Sequence, residues 1–318
     1  MTSVTAGVDL GGTKIQTAIL RDREVAGTAR VLTPQTGAAD VVSAIAGTVR
    51  TALEAAGASP SDLAAIGMGT PGEVDASAGT ISHSPNVPGF QERVGLGPLT
   101  SQALGGVPVT LDNDVRVAIR GEHERGAGRP YRNLLGVFCG TGVGGGLVLE
   151  GTLRVGRGAA GEIGHTIVKD GGRMCSDGRR GHLEAYAGRG RMEARARALA
   201  KHGHKTILFD LMQRRGRTGL SSGVIATAME KKDEMAMELI DDAVWAMGIA
   251  LSNAQNLLDL EAIIIGGGLG DRLGQPFIDR IAAAMGPRLF VPDNRPKVLG
   301  TELGDLSGAI GAAVLAGG

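Results

Sequence analysis

Two glycine turns, each with apolar residues on both sides, constrain this chain more than anything else in it. In "VTAGVDLGGTKIQTAIL" an apolar run reaches Gly11 and Gly12, and beyond them Ile15, Thr17 and Ile19 recur with period two. Period two is the signature of a strand, so this turn joins strand to strand and not strand to helix. A dinucleotide fingerprint and a P-loop are thereby excluded, because both need their glycines to open a helix. "LLGVFCGTGVGGGLVLEGTLRVG" repeats the theme in the second half of the chain. A tight hairpin turn aims successive backbone N–H groups at one point, which suits a phosphate group. One such hairpin in each half suggests two similar lobes facing one phosphate chain.

Between the hairpins, strands alternate with helices, which places the chain in the α/β class. A helix is predicted from about Ala38 to Ala56, ending at Gly57, and "LAAIGMGTPGEVD" reads as a buried strand running into a loop. "VPVTLDND" is a short strand that delivers Asp112, Asn113 and Asp114 to its end, and "VRVAIRGEHERGAG" continues with helical spacing to a glycine stop. The basic region from Arg189 to Lys232 reads as outer helices, with Arg214, Arg215 and Arg217 on a solvated face. From Met235 to Leu260, the residues Met237, Ile240, Val244, Met247, Leu251 and Leu258 fall on one helical stripe. "EAIIIGGGLG" is then a buried strand ending in Gly266, Gly267 and Gly268, and "LSGAIGAAVLAG" is a short helix of small residues.

Composition narrows the partners. A chain of 318 residues accommodates two domains, and its 33 basic and 33 acidic residues cancel. Nucleic-acid and membrane-surface binders rely on a positive field, so small molecules are the expected partners. With 53 glycines and only 3% aromatic residues, ligand contacts are expected from glycine loops rather than aromatic platforms. Cys139 and Cys175 are the only cysteines, which fits a reducing cytoplasm and not a disulfide framework. "MTSVTAGVDL" lacks the pattern of a signal peptide, and the most apolar later stretch, Leu134 to Leu149, is shorter than the roughly 20 residues of a spanning helix. A soluble cytoplasmic protein is expected.

The turn at Gly11, Gly12, Thr13 and Lys14 can cradle phosphate oxygens, with Asp9 just before it to orient a hydrated magnesium ion. Thr141 and Gly142 offer a second cradle, and Gly266 to Gly268 a third glycine loop at a strand end. Phosphoryl transfer to an alcohol needs a base in reach of the hydroxyl and little other covalent chemistry. Asp114 is the candidate; its competing role is to cap the following helix, a task Asn113 performs equally well. "CSDGRRGHLE", residues 175 to 184, reads as a metal site, a substrate site or a tight turn. The remaining histidines, His83, His123, His202 and His204, have no partner spacing. Cys139 reads as a core residue, and Trp245 with its neighbouring methionines as helix packing.

In combination, "DLGGTK", "GTPG", "PNVPGF", "DND", "GTGVGGG", "GEIGH" and "GHLE" occur in the order and approximate spacing of the ROK family of sugar kinases and sugar-responsive repressors, and the chain resembles that family from about Val8 to its end. The resemblance implies an actin-like ATPase (ribonuclease H-like) α/β fold with two lobes around a central cleft. The expected lobes are residues 1–115 with 302–318, and residues 116–301. It implies sugar contacts from Asn86, Asn113, Asp114, Glu162, His165 and Glu184, with Asp114 as catalytic base. ATP phosphates would meet Gly11 to Thr13 and Thr141 with Gly142, and the nucleoside would lie near Gly266, Gly267 and Gly268. A ring of hydroxyls is well satisfied by carboxylates, amides and a neutral imidazole.

The implied activity is magnesium- and ATP-dependent phosphorylation of a hexose at its 6-hydroxyl, glucose first. The alternatives are mannose, fructose or an N-acetylhexosamine as acceptor, polyphosphate as donor, or a sugar-sensing protein without catalysis. The family is usually dimeric or tetrameric. No helix-turn-helix segment precedes the first strand, so operator DNA is not an expected partner. After the acidic pair, Val115 and Arg116 replace the family's small residues and Asn. The family's zinc loop maps onto His165, Cys175, Asp177 and His182, two of its three sulfurs being replaced by an oxygen and a nitrogen that zinc also accepts. The alternative is a loop held by hydrogen bonds alone, with Asp177 accepting from turn N–H groups.

Overall fold

The computed structural model describes residues 3–84, 87 and 89–317. Along the chain run β1 (Val4–Leu10), β2 (Lys14–Arg21), β3 (Glu24–Leu32), α1 (Ala38–Ala55), β4 (Leu63–Thr70), β5 (Glu73–Asp75), β6 (Thr80–Ser82), α2 (Leu96–Ala103), β7 (Val109–Asn113) and α3 (Asp114–Arg125). There follow β8 (Leu134–Cys139), β9 (Val143–Leu149), β10 (Thr152–Arg154), α4 (Glu184–Ala187), α5 (Arg189–Lys201), α6 (Leu208–Arg214), α7 (Ser222–Glu230), α8 (Glu234–Leu258), β11 (Ala262–Gly266), α9 (Gly267–Met285), β12 (Lys297–Gly300) and α10 (Ser307–Gly317). The segment "TPGEVD", expected as loop, instead contributes β5, which pairs with β6 as a small hairpin.

The chain divides into two compact units, one running through Arg129 and resuming at Asp305, the other Pro130–Gly304. Each holds a five-stranded sheet, in the orders β3-β2-β1-β4-β7 and β10-β9-β8-β11-β12. The first three strands of each sheet form an antiparallel meander, and the other two run parallel to its inner strand. Two glycine hairpins in the sequence thus correspond to one sheet topology used twice.

In the first unit, α1 turns Val41, Val42, Ile45, Val49, Ala52 and Leu53 toward the strands, a helical stripe against the alternating residues Val4, Ala6, Val8, Ile15 and Ile19. In the second, α8 is capped by Asp233, whose side chain accepts from the Ala236 amide, and ends where Asp259 turns left-handed. Of the expected stripe, Ile240, Val244, Met247 and Leu251 join the core that holds Ile263 and Ile265 of β11, whereas Met237 is exposed. Cys139 is a core residue, as expected: its Sγ lies 3.8 Å from Met247 Sδ, and burial pushes its thiol up to about 12. None of the described helices is long and apolar enough to cross a membrane.

The last helix is seated by backbone contact. A Cβ on Gly67 would fall on the Ala312 carbonyl, one on Gly7 on the Ala309 carbonyl, and one on Gly311 on the Val117 carbonyl of α3. The helix of small residues therefore lies directly on β1, β4 and α3. Ser307 Oγ donates to Glu122 Oε1 at 2.6 Å, tying the start of α10 to α3. This corrects the expected boundary after residue 115. Because α3 packs on α10 and β4, it belongs with the first unit, which continues to Arg129.

Seating by backbone contact leaves no room for a methyl group, so Gly67→Ala is expected to destabilise the protein by about 3 kcal/mol or more in denaturant unfolding. Gly47 lies inside α1, and a Cβ added there would meet nothing within 4 Å. Gly47→Ala is therefore expected to stabilise by roughly 0.5–1 kcal/mol in the same measurement.

Candidate active site

In the first unit the hairpin turn is polarised. Thr33 Oγ1 donates to the Gly11 carbonyl at 2.6 Å, Gln35 Nε2 to the Gly12 carbonyl at 3.3 Å, and the Thr33 amide to the Thr13 carbonyl at 3.1 Å. Gly11 N–H closes the turn onto the Lys14 carbonyl at 2.9 Å. The Gly12 and Thr13 amides make no hydrogen bond among the described residues. With its carbonyls tied back, the turn presents donors, the arrangement an anionic oxygen requires. Lys14 Nζ is held 3.0 Å from Asp305 Oδ1 and 3.0 Å from Gln16 Oε1.

In the same sheet, β7 ends in Asp112 and Asn113, and Asp114 follows as the first residue of α3. Asn113 is the N-cap of α3, its Oδ1 accepting from Val115 N at 3.0 Å and Arg116 N at 3.2 Å. Asp114 is the first helical residue; its Oδ1 accepts from the Val115 amide at 2.9 Å. Arg116 is engaged within the protein, with Nε 2.7 Å and Nη2 2.6 Å from Asp112 Oδ1 in a largely buried pair. Asp9, at the end of β1, lies against Gly308 at the start of α10. Burial first, then the charge of Asp114, raises its pKa to about 7, with Asp305 adding to the rise and Lys14 opposing it. A desolvated carboxylate facing a second one is a group that gains from a hard cation, so Asp9 fits a magnesium-orienting role.

The second unit repeats the turn. Gly140 N–H donates to the Gly142 carbonyl at 2.8 Å, while the Gly140 and Thr141 carbonyls accept from the amides of Arg189 at 3.2 Å and Gly190 at 3.0 Å. The Thr141 and Gly142 amides have no hydrogen-bond partner among the described residues. Glu184, buried at the start of α4, braces this turn: its Oε2 accepts from Val143 N at 3.0 Å, and its Oε1 accepts from Cys175 Sγ at 3.4 Å and from Ser176 Oγ. A Cβ on Gly142 would fall on the Glu184 carboxylate, so glycine lets that carboxylate sit against the turn. Glu162 precedes a single 3-10 turn, Ile163–His165, that rests on β9 through Gly164, where a Cβ would meet the Val143 carbonyl.

His165, Cys175, Asp177 and His182 converge, their ligand atoms all within 4.8 Å of one another. His165 Nδ1 lies 3.4 Å from His182 Nδ1, and Asp177 Oδ2 is 3.3 Å from each of those nitrogens. A tetrahedron with metal–nitrogen bonds of about 2.05 Å has edges of about 3.3 Å, so these three atoms are spaced as zinc ligands. Cys175 and His182 are buried. Asp177 Oδ1 also accepts from the Arg179 amide at 2.9 Å, the turn bond expected for a loop held without metal.

Gly266 ends β11, but Gly267 and Gly268 open α9, so the third glycine loop differs from the two hairpins. Two residues there escaped the sequence reading. Arg189 follows the second hairpin in space, with Nη1 3.0 Å from Ser222 Oγ, and both side chains stand where a Cβ on Gly268 would be. The Nε of Arg189 is buried without a partner. No spacing singled it out within a basic stretch. Asn86 lies outside the described residues.

Residues 5–318 match the model of the ROK family. The glucokinase of Halalkalibacterium halodurans is 34% identical over 311 residues, covering 95% of this chain and 92% of that protein. The glucokinase of Streptomyces coelicolor is 34% identical over 322 residues, covering 98% and 97%. The crystal structure of a ROK family glucokinase from Streptomyces griseus in complex with glucose and AMPPNP is similar with a TM-score of 0.80 at 32% identity, covering 99% of each chain.

The raised pKa of Asp9 has a definite consequence. Folded protein holds this proton up to about pH 7, whereas the ordinary value is 3.8, so between those values the folded state binds more protons. The stability Asp9 contributes is full below the lower value and is lost as pH rises through the upper one. Carbon-detected NMR titration of the metal-free protein is expected to show the Asp9 carboxyl titrating near neutrality, and Asp114→Asn is expected to lower it.

Proposed function

The chain belongs to the ROK family, and on that premise we propose that it is an ATP-dependent sugar kinase that phosphorylates a hexose, glucose before others, at its 6-hydroxyl with Asp114 as general base. The relatives named glucokinase support the choice of sugar. The observation that carries the role of Asp114 is the division of labour at the end of β7. Asn113 caps α3 through two backbone amides, so the cap is Asn113, and the Asp114 carboxylate shares only one of those amides. Its charge, felt by Asp9, stands at the strand end, where a carboxylate can accept the proton of an attacking hydroxyl.

The remaining residues bind and orient. The amides of Gly12 and Thr13 are proposed donors to phosphate oxygens, and so, within their own unit, are those of Thr141 and Gly142. Magnesium, when bound, neutralises phosphate charge, and Asp9 is the side chain that would orient it. The nucleoside belongs with Gly266, Gly267 and Gly268, beside Arg189. Sugar hydroxyls fall to Asn86, Asn113, Asp114, Glu162, His165 and Glu184. His165 offers its Nδ1 to the metal cluster, which frees Nε2 for a hydroxyl. Zinc at His165, Cys175, Asp177 and His182 would serve as a brace, because the loop it closes also carries Ser176, a hydrogen-bond donor to Glu184.

Asp114→Asn is expected to lower kcat by about a hundred- to ten-thousandfold while leaving glucose binding by calorimetry nearly unchanged. A coupled assay over a panel of hexoses with ATP tests the substrate, and a higher kcat/KM for any other hexose would displace glucose. Elemental analysis is expected to find one zinc per chain, lost in Cys175→Ser; full activity in protein free of metal would leave the loop as a hydrogen-bonded turn.

A further inference from the structure

The second unit holds a pocket of about 620 Å³ to which none of the residues assigned above contributes a wall. Lys169, Arg173, Arg180 and Arg195 line it against one carboxylate, Asp242, leaving three positive charges in excess on a chain whose net charge is zero. Tyr186 and Trp245 supply its apolar face. The chain has one Trp and two Tyr in all, so this concentration of aromatic surface is particular to the pocket.

The cations are organised but not used up. The Arg173 guanidinium is paired with Asp242 and lies 4.9 Å over the Tyr186 ring, which in turn meets the Trp245 ring edge-on at 5.5 Å. Arg180 Nη1 donates to the Gly172 carbonyl at 3.1 Å. Arg195 has Glu238 3.8 Å from its Nη2, and its buried Nε has no hydrogen-bond partner. No ion pair or side-chain hydrogen bond holds the Lys169 ammonium among the described residues. A volume of this size is ordinary for a small-molecule site. Arginine forks beside a lysine point charge match the oxygens of a doubly charged phosphate.

We propose that this pocket is a second ligand site, for the phosphate monoester of a small sugar, with the phosphate on the cations and the ring against Tyr186 and Trp245. That the ester is the hexose 6-phosphate product rests on the kinase reading; that the pocket takes a phosphate dianion does not. The walls give the site a route to the active centre. Lys169, Arg173 and Arg180 belong to the loop that carries Cys175 and Asp177, and Tyr186 shares α4 with Glu184. A ligand that pins this loop alters the hold on Glu184, and by linkage sugar binding alters its affinity in the same proportion.

Trp245, the only tryptophan, is a built-in reporter. Its fluorescence in the full-length protein would be titrated with hexose 6-phosphate, inorganic phosphate, AMP and unphosphorylated glucose. The expected result is a saturable response to the hexose phosphate, weaker for inorganic phosphate and AMP. The double variant Lys169→Ala/Arg180→Ala, which alters two exposed side chains, is expected to weaken it about tenfold or more with kcat/KM unchanged in the absence of effector. Lys169→Arg/Arg180→Lys should retain binding and guards against a folding defect. A flat response to every phosphate, or one that the double variant leaves intact, would overturn the site. Equal or tighter binding of inorganic phosphate or AMP would overturn the sugar ester as its ligand. Since the titration needs no turnover, a protein that responds as expected but phosphorylates no sugar would sink the kinase reading and leave the pocket standing.

Discussion

The first unit depends on one close approach, the backbone of α10 lying on the backbone of β1 and β4. Helices normally stand off a sheet by the length of two layers of side chains, and here Gly7 and Gly67 remove one layer while the small residues of the helix remove the other. The consequence reaches the chemistry. With the helix this close, Gly308 meets the carboxylate of Asp9, and the same packing brings α3, and with it Asp114, into the unit. Two carboxylates are thereby held near one another in protein rather than in water, and the cost falls on Asp9, whose proton is retained to about pH 7. A cation and a phosphate chain would relieve that cost.

The second unit is arranged around a different centre, the Glu184 carboxylate. One of its oxygens takes the Val143 amide at the base of the glycine turn, and the other takes donors from Cys175 and Ser176. The turn, the cysteine loop and α4 are thus linked through a single buried group, and removing it would leave a buried amide unpaired. The cluster of His165, Cys175, Asp177 and His182 closes the same loop from its other side. Lys169, Arg173 and Arg180 of the basic pocket lie on that same loop, so the pocket and the cluster share one short stretch of chain.

Much of this was legible beforehand, for reasons that differ by feature. The hairpins announced themselves because period-two alternation on both sides of a glycine turn has no helical reading, and the sheet order repeats between units as the paired motifs implied. The convergence of His165, Cys175, Asp177 and His182 was implied by the resemblance of their loop to the family's zinc loop. The ambiguity between Asn113 and Asp114 as helix cap could not be resolved from spacing, since both residue types cap helices; in the fold Asn113 takes the N-cap position and accepts from two backbone amides, Asp114 from one. The first unit continues past residue 115 to Arg129 because α3 and α10 meet backbone to backbone at Gly121 and Gly311, a contact that spacing along the chain does not reveal. Arg189 was not singled out within its basic stretch, because a cation means little until its neighbours are known; Trp245, expected as helix packing, does pack against the core.

The sequence by itself determined the local order of strand, turn and helix, the polarity of the chain's partners and the residue types available for phosphate, sugar and metal. These follow from periodicity, glycine content and side-chain chemistry, which act over a few residues at a time. Only the tertiary structure decided which turn amides are left without partners, which carboxylate is pushed toward neutrality and which cations gather into a pocket. Those properties depend on desolvation and on distances between residues far apart in the chain, and neither exists until the backbone has closed around them.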